Sequence, residues 1–181
     1  HPYAKAPLDI ACWDILGHAA GLSVATLLGG RYGEELEVMR AINVDTPEAM
    51  AAKTRAEREK GYRIFQVKVG DEPELDIARV RAVAAELREG DRLVADANTK
   101  WTKHQAMRFA RGAADLDFYL EQPCPTYEEC LSVRRATTLP FMLDECILTV
   151  DDLIRAHADG AVDAIGLKLS RVGGLTKMRK I

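Results

Sequence analysis

RIFQVKV at residues 63–69 and DAIGLKL at 163–169 decide the fold, because each alternates apolar and polar side chains and places a lysine next to its last residue. Between them lie RLVADA (92–97), DFYLEQ (117–122) and PFMLDE (140–145), and EVMRAINV (37–44) comes before. All six read as short strands. The intervening segments carry helix start and stop signals. Thr46-Pro47 reads as an N-cap followed by an N1 proline, and Thr126-x-x-Glu129 as a capping box. Thr102 and Thr149 suit N-caps, while Gly61, Gly90 and Gly160 suit the residue after a helix end. Strands alternating with helices of this kind imply parallel βαβ units.

The repeat places chemistry at one end. Lys68, Asp96, Glu121, Asp144 and Lys168 each fall near the C-terminal end of a strand, at separations of 28, 25, 23 and 24 residues. Roughly 250 residues make a barrel of eight βα units, so one unit is about this long. Five successive strands would then present one ionisable group each, at the same height, on the end where barrel enzymes keep their active sites. Strand parity agrees. Phe65, Val67 and Val69 can cover the helix side, as can Ile165, Leu167 and Leu169, which leaves both lysines pointing inward. The expected fold class is therefore α/β, a partial TIM-type barrel with about six of eight strands in residues 31–181.

Outside the repeat, residues 3–20 carry an apolar stripe of Leu8, Ala11, Cys12, Ile15, Leu16 and Ala19, closed by Gly21. A short helical piece follows at Ser23–Leu28. Residues 175–181 read as the opening turns of another helix. The 181 residues are 48% hydrophobic and 29% charged with a net charge of −3, a globular composition without a basic nucleic-acid face. No stretch is apolar enough to span a membrane. The four cysteines, Cys12, Cys124, Cys130 and Cys146, show no C-x-x-C spacing, which points to reduced thiols and a cytoplasmic location.

Three converging carboxylates repel one another, and a hard divalent cation relieves that repulsion. Mg²⁺ accepts all-oxygen ligation from Asp96, Glu121 and Asp144 with positions left for substrate, and Mn²⁺ is an alternative. A metal so placed offsets the charge that forms when a carboxylate substrate loses its α-proton. A lysine on either side can take or return that proton, provided that nearby positive charge and desolvation favour its neutral form. Each of these residues taken singly also fits a plain structural role as a cap or surface ion pair. Trp101, Asn98 and Gln122 suit either the mouth of the site or packing. Cys124 and Cys146 read as small wall residues, His18 and His157 as structural, and His104 has no assigned role.

The runs Ala4-Lys5-Ala6-Pro7-Leu8-Asp9-Ile10-Ala11-Cys12-Trp13-Asp14 and Leu27-Leu28-Gly29-Gly30 resemble the helix leading into the barrel of the enolase superfamily. The resemblance is to the muconate lactonizing enzyme and mandelate racemase branch. Gln66-Val67-Lys68-Val69-Gly70, Asp96-Ala97-Asn98, Glu121-Gln122-Pro123, Leu143-Asp144-Glu145 and Lys168 to Gly174 resemble its successive motifs. It implies that Asp96, Glu121 and Asp144 bind Mg²⁺ with Glu145 in support, and that Lys68 and Lys168 form the acid/base pair. One departure stands out. The branch usually has Lys-x-Lys on the second strand, and Gln66 occupies the first of those positions, where its amide can hydrogen-bond a substrate group. The longer phrases at 65–70 and 121–130 are most similar to cis-3-hydroxy-L-proline dehydratases.

The resemblance implies a Mg²⁺-dependent lyase acting on a small carboxylate such as cis-3-hydroxy-L-proline, with no nucleic-acid or membrane partner and a homo-oligomeric state when full length. Racemisation or epimerisation of a proline-like acid, betaine or dipeptide remains open, as does cycloisomerisation. A Schiff-base lyase using Lys168 and an inert barrel fragment are alternatives of other classes. Two further expectations follow, one from counting six strands where a closed barrel needs eight and one from the resemblance. Two more units follow Ile181, and a capping α+β domain precedes His1, with residues 1–30 at its junction with the barrel.

Overall fold

A computed structural model describes residues 1–181. Its strands are β1 Met39–Ile42, β2 Ile64–Lys68, β3 Arg92–Asp96, β4 Tyr119–Glu121, β5 Phe141–Leu143 and β6 Ala164–Ile165. They form one open sheet in sequence order, every neighbouring pair parallel. The helices are α1 Pro2–Ala20, α2 Val24–Leu27, α3 Pro47–Glu59, α4 Pro73–Ala84, α5 Lys103–Gly112, α6 Tyr127–Arg134, α7 Val150–Ala158, α8 Leu169–Val172 and α9 Leu175–Met178. The result is six successive βα units of a partial TIM-type barrel.

Local chemistry starts the helices where the sequence says it should. Thr46 accepts from the Ala49 amide at the start of α3, ahead of Pro47. Thr102, Thr126 and Thr149 complete reciprocal capping boxes with Gln105, Glu129 and Asp152. Gly21, Gly61, Gly90 and Gly160 all take positive φ.

The period-2 alternation then sorts the two faces. Phe65, Val67, Leu93, Ala95, Leu120, Phe141 and Leu143 lie in one buried cluster with Val80, Phe109, Cys130, Val133 and Ala156 from the helices. At its centre the Phe109 ring stands 4.6 Å from Trp101 and 5.8 Å from Phe118. Gln66, Lys68, Asp96, Glu121 and Asp144 occupy the other parity and hence the other face of the sheet.

One expectation fails. The sixth strand is shorter than residues 163–169, because β5 ends at Leu143 and β6 has no partner beyond Ile165. Leu167 and Leu169 are consequently part-exposed instead of covering a helix face, and Lys168 caps the short α8. In α1, the stripe residues Leu8, Ile15 and Leu16 are 69%, 66% and 51% exposed, while Ala6 and Gly17 are buried. The helix packs chiefly on α8, and polar ties add α9, with Asp9 accepting from the Thr176 amide and the Trp13 indole donating to the Thr176 hydroxyl.

β1 pairs only with β2, and β6 only with β5. Two unpaired edges are templates for pairing between chains. Residues 1–181 alone are expected to self-associate, which sedimentation velocity over a concentration series would reveal; a monomer throughout would contradict this. Phe109→Ala should cost about 3–5 kcal/mol in urea unfolding, the usual loss for a buried aromatic.

Candidate active site at the C-terminal strand ends

The parallel register sets this site. Lys68 stands opposite Asp96, and Asp96 opposite Glu121, so three ionisable side chains share one level on β2, β3 and β4. The register then steps. Glu121 faces Met142 and Leu143 faces Ile165, so Asp144 lies two residues above that level and Lys168 higher again. Tilted, staggered strands produce such an offset, which corrects the equal-height expectation. Even-numbered steps keep each group on the same face of the sheet.

Side-chain contacts gather the eight candidate residues into two groups, Lys68, Gln66, Asp96, Asn98, Glu121 and Glu145 in one and Asp144 with Lys168 in the other, bridged by the Arg171–Glu145 ion pair at 3.9 Å. Lys68 Nζ donates to Asp96 Oδ2 at 2.5 Å and to Asn98 Oδ1 at 3.1 Å. Gln66 Nε2 bridges two carboxylates, Asp96 Oδ2 at 3.1 Å and Glu121 Oε2 at 2.6 Å. Asn98 donates to Glu145 Oε1 at 3.4 Å. Lys168 Nζ donates to Asp144 Oδ2 at 3.0 Å. Arg171, which sequence reasoning left unassigned, is buried and donates to both oxygens of Asp144. Its spacing of three from Lys168 puts both cations on one face of a helical turn, the signal that could have found it.

Burial makes these charges matter. Asp96, Glu121 and Asp144 are only 1%, 4% and 2% exposed. Desolvation, then the Asp96 charge, pushes the Glu121 carboxyl up to about 7 despite the Gln66 hydrogen bond. Burial opposes ionisation of Asp144 as well, but Arg171 and Lys168 outweigh it and hold Asp144 below the usual carboxylate range.

The backbone gives way to make room. Asn98, Thr99 and Gln122 sit at φ 45, 68 and 36°, a region non-glycine residues rarely adopt. A Cβ on Gly166 would come within 2.9 Å of Asp144 Oδ1, so glycine there leaves space for that carboxylate. Of the mouth candidates, Trp101 and Gln122 turn out to be packing residues. Trp101 is buried with its indole donating to the Asp71 carbonyl. Gln122 is buried and accepts the amides of Asp144 and Cys146 on Oε1.

No group of three His, Cys, Asp or Glu side chains is arranged to hold a metal ion as it stands. The donor chemistry nevertheless fits a hard cation. Asp96 and Asp144 both raise the proton affinity of Glu121, the field of negative charge that such an ion relieves. Glu145 Oε2 is buried with no hydrogen-bond partner, an orphan that a cation or a substrate donor would satisfy.

A family model described as enolase C-terminal domain-like matches residues 49–181. The chain belongs to that family. This enolase-like chain is 51% identical over 179 residues to cis-3-hydroxy-L-proline dehydratase of Roseibium aggregatum, covering 99% of the chain and 49% of that protein. It is 34% identical over 183 residues to the hydrophobic dipeptide epimerase of Enterococcus faecalis, covering 99% and 51%. A crystal structure of an enolase-superfamily member from Roseovarius nubinhibens ISM, complexed with magnesium, superposes with a TM-score of 0.92 at 38% identity, covering 99% and 49%. The chain spans about half the length of the curated relatives it matches.

Glu121 sets a pH dependence whose sign follows from its raised pKa. Between the ordinary carboxylate range near 4.5 and about 7, the folded chain binds more protons than the unfolded chain. In metal-free buffer, this group should therefore make stability fall as pH rises through that window, by up to about 3 kcal/mol. Glu121→Gln should flatten that slope when urea midpoints are compared at pH 5 and 8.

Proposed function

We propose that this enolase-like chain carries the proton-transfer groups of a Mg²⁺-dependent enzyme that removes the proton α to a carboxylate. The preferred reaction is dehydration of cis-3-hydroxy-L-proline. The observation that carries this reading is the line of three buried carboxylates on β3, β4 and the end of β5, bounded by Lys68 on β2 and Lys168 after β6. The 51% identity to a dehydratase of that substrate supports the finer choice. Epimerisation is the second reading, favoured by the same pair of lysines and by the 34% identity to a dipeptide epimerase.

Asp96, Glu121 and Asp144 would hold the cation, with Glu145 beside them. When bound, Mg²⁺ supplies positive charge against the substrate carboxylate as the α-proton leaves; Mn²⁺ suits the same oxygens. Lys68, steadied by Asp96 and Asn98, approaches the α-carbon from one side, and Lys168, steadied by Asp144, from the other. One lysine takes the α-proton, and the other protonates the departing hydroxyl or, in an epimerase, returns a proton to the opposite face. Gln66 spends its amide hydrogens on Asp96 and Glu121, which leaves its carbonyl to accept from a substrate amine or hydroxyl.

The same proposal covers organisation. Residues 31–181 form the incomplete barrel and residues 1–30 its junction with a capping domain, supported by the open β1 and β6 edges and by the half-length match. A homo-oligomer of the complete enzyme fits the exposed apolar residues of α1. The free thiols support a cytoplasmic location, and the net charge of −3 supports a small-molecule partner over nucleic acid.

In an enzyme containing this chain within a complete barrel, Lys68→Ala or Lys168→Ala should each lower turnover of cis-3-hydroxy-L-proline by about 10²–10⁴. Exchange of the substrate α-hydrogen in D₂O should survive in one variant and vanish in the other. Exchange surviving loss of both lysines would overturn the two-base reading. Calorimetric Mg²⁺ titration should show weaker binding for Asp96→Asn, Glu121→Gln and Asp144→Asn, and unchanged affinity in all three would overturn the metal assignment.

A further inference from the structure

Three of the four cysteines gather around one side chain that proton transfer does not use. Gln122 Nε2 donates to the Cys124 carbonyl at 3.1 Å, to Cys146 Sγ at 2.9 Å and to Cys130 Sγ at 3.5 Å. The Cys130 thiol reaches the Cys124 carbonyl at 3.4 Å and stands beside both the Cys124 and the Cys146 thiols. Cys124 and Cys130 are buried, whereas Cys146 is half-buried and so within reach of solvent. No disulfide joins any of them.

We propose that Cys146 and Cys130 are a reversible oxidation site that closes to a disulfide under peroxide. The steps balance with hydrogen peroxide as the two-electron oxidant. Cys146 sulfur, on the half-buried member, attacks one peroxide oxygen. The O–O bond breaks, the thiol proton leaves with the departing hydroxide as water, and Cys146 becomes a sulfenic acid. Cys130 sulfur then attacks the Cys146 sulfur, the S–O bond breaks, and a second water carries off the Cys130 proton. Two thiols are oxidised to one disulfide, and one peroxide is reduced to two waters. The Cys124 thiol also lies beside Cys130, but it is buried away from peroxide, and its carbonyl orients the Cys130 thiol.

The location gives the bond a consequence. Gln122 Oε1 accepts the amides of Asp144 and Cys146 at 2.9 and 3.3 Å, so one side chain links the thiol pair to the turn bearing Asp144. The two sulfurs are unbonded as they stand around the amide nitrogen, and a covalent bond between them draws them together. Drawing the sulfurs together breaks at least one of their contacts with the Gln122 amide and so loosens the two backbone bonds that its carbonyl accepts. Oxidation at this site therefore reaches a carboxylate of the candidate active site without touching it.

The test uses the 181-residue chain with Cys12→Ser, which removes the exposed thiol. After hydrogen peroxide treatment and tryptic digestion, mass spectrometry should find peptides 112–134 and 136–155 joined with the loss of two hydrogens. Fragmentation should place the bond at Cys130 and Cys146, and dithiothreitol should reverse it. Cys124→Ser should leave the link intact, while Cys130→Ser should abolish it and let Cys146 proceed to the sulfinic acid. In the oxidised protein, amide hydrogen exchange at Asp144 and Cys146 should quicken roughly tenfold, the scale of one lost hydrogen bond. Unchanged thiols, a link through Cys124, or sulfinic acid at Cys146 without any link would overturn the proposal. Because the wild-type pairing is read directly by fragmentation, a variant that fails to fold does not blunt the test.

Discussion

Side-by-side pairing of Lys68, Asp96 and Glu121 across three parallel strands is the constraint on which the rest of the structure depends. Parallel pairing with even parity puts their side chains on one face, and burial then strips them of water. Like charges so close and so dry cannot all stay ionised without compensation. The protein supplies it unevenly. Lys68 answers Asp96, and Arg171 with Lys168 answers Asp144, but Glu121 is hydrogen-bonded by the neutral amide of Gln66 and feels Lys68 only at a distance. A raised proton affinity at Glu121 is the direct result, and it marks where positive charge is wanted.

Supporting residues keep that arrangement in place. Gly70 (φ 116°) packs so tightly against Lys100 and the Ala97 carbonyl that a Cβ would fall within 2.6 Å of the lysine chain. The loop after Lys68 is thereby pressed onto the loop bearing Asn98. Buried Asp76 accepts the Gly70 and Asp71 amides and pairs with Arg79, which also holds Asp71. Gln122 plays the matching part on the other side, tying the end of β4 to the turn after β5. These polar clamps are buried and satisfied, so each locks one loop geometry rather than several.

The similarity to a dehydratase at 51% and an epimerase at 34% fits a single arrangement of groups that serves more than one outcome. On the proposed function, two lysines flanking a carboxylate-lined site would move a proton on and off a carbon from either face. The outcome of proton removal, on that reading, depends on whether a leaving group sits next to the α-carbon, which is a property of the substrate and of the groups that position it. Function in such a fold belongs to the site and not to the barrel.

Much of this was legible in the sequence, for local reasons. Capping threonines, apolar alternation and a βα spacing near 25 residues act over short distances, and they determined the strands, the order of the units and the face on which Lys68, Asp96, Glu121 and Asp144 would stand. The helix of residues 3–20 was legible as well, but its apolar stripe was not a guide to burial, since burial depends on what packs against the helix. Register was decided only in three dimensions. The step that lifts Asp144 and Lys168 above Glu121 comes from strand stagger, which no single strand encodes. The pairing of Arg171 with Asp144, the bridge made by Gln66 and the gathering of three thiols around Gln122 likewise join residues from different strands and turns. They exist because the sheet brings those strands together, and a linear pattern holds no record of that distance.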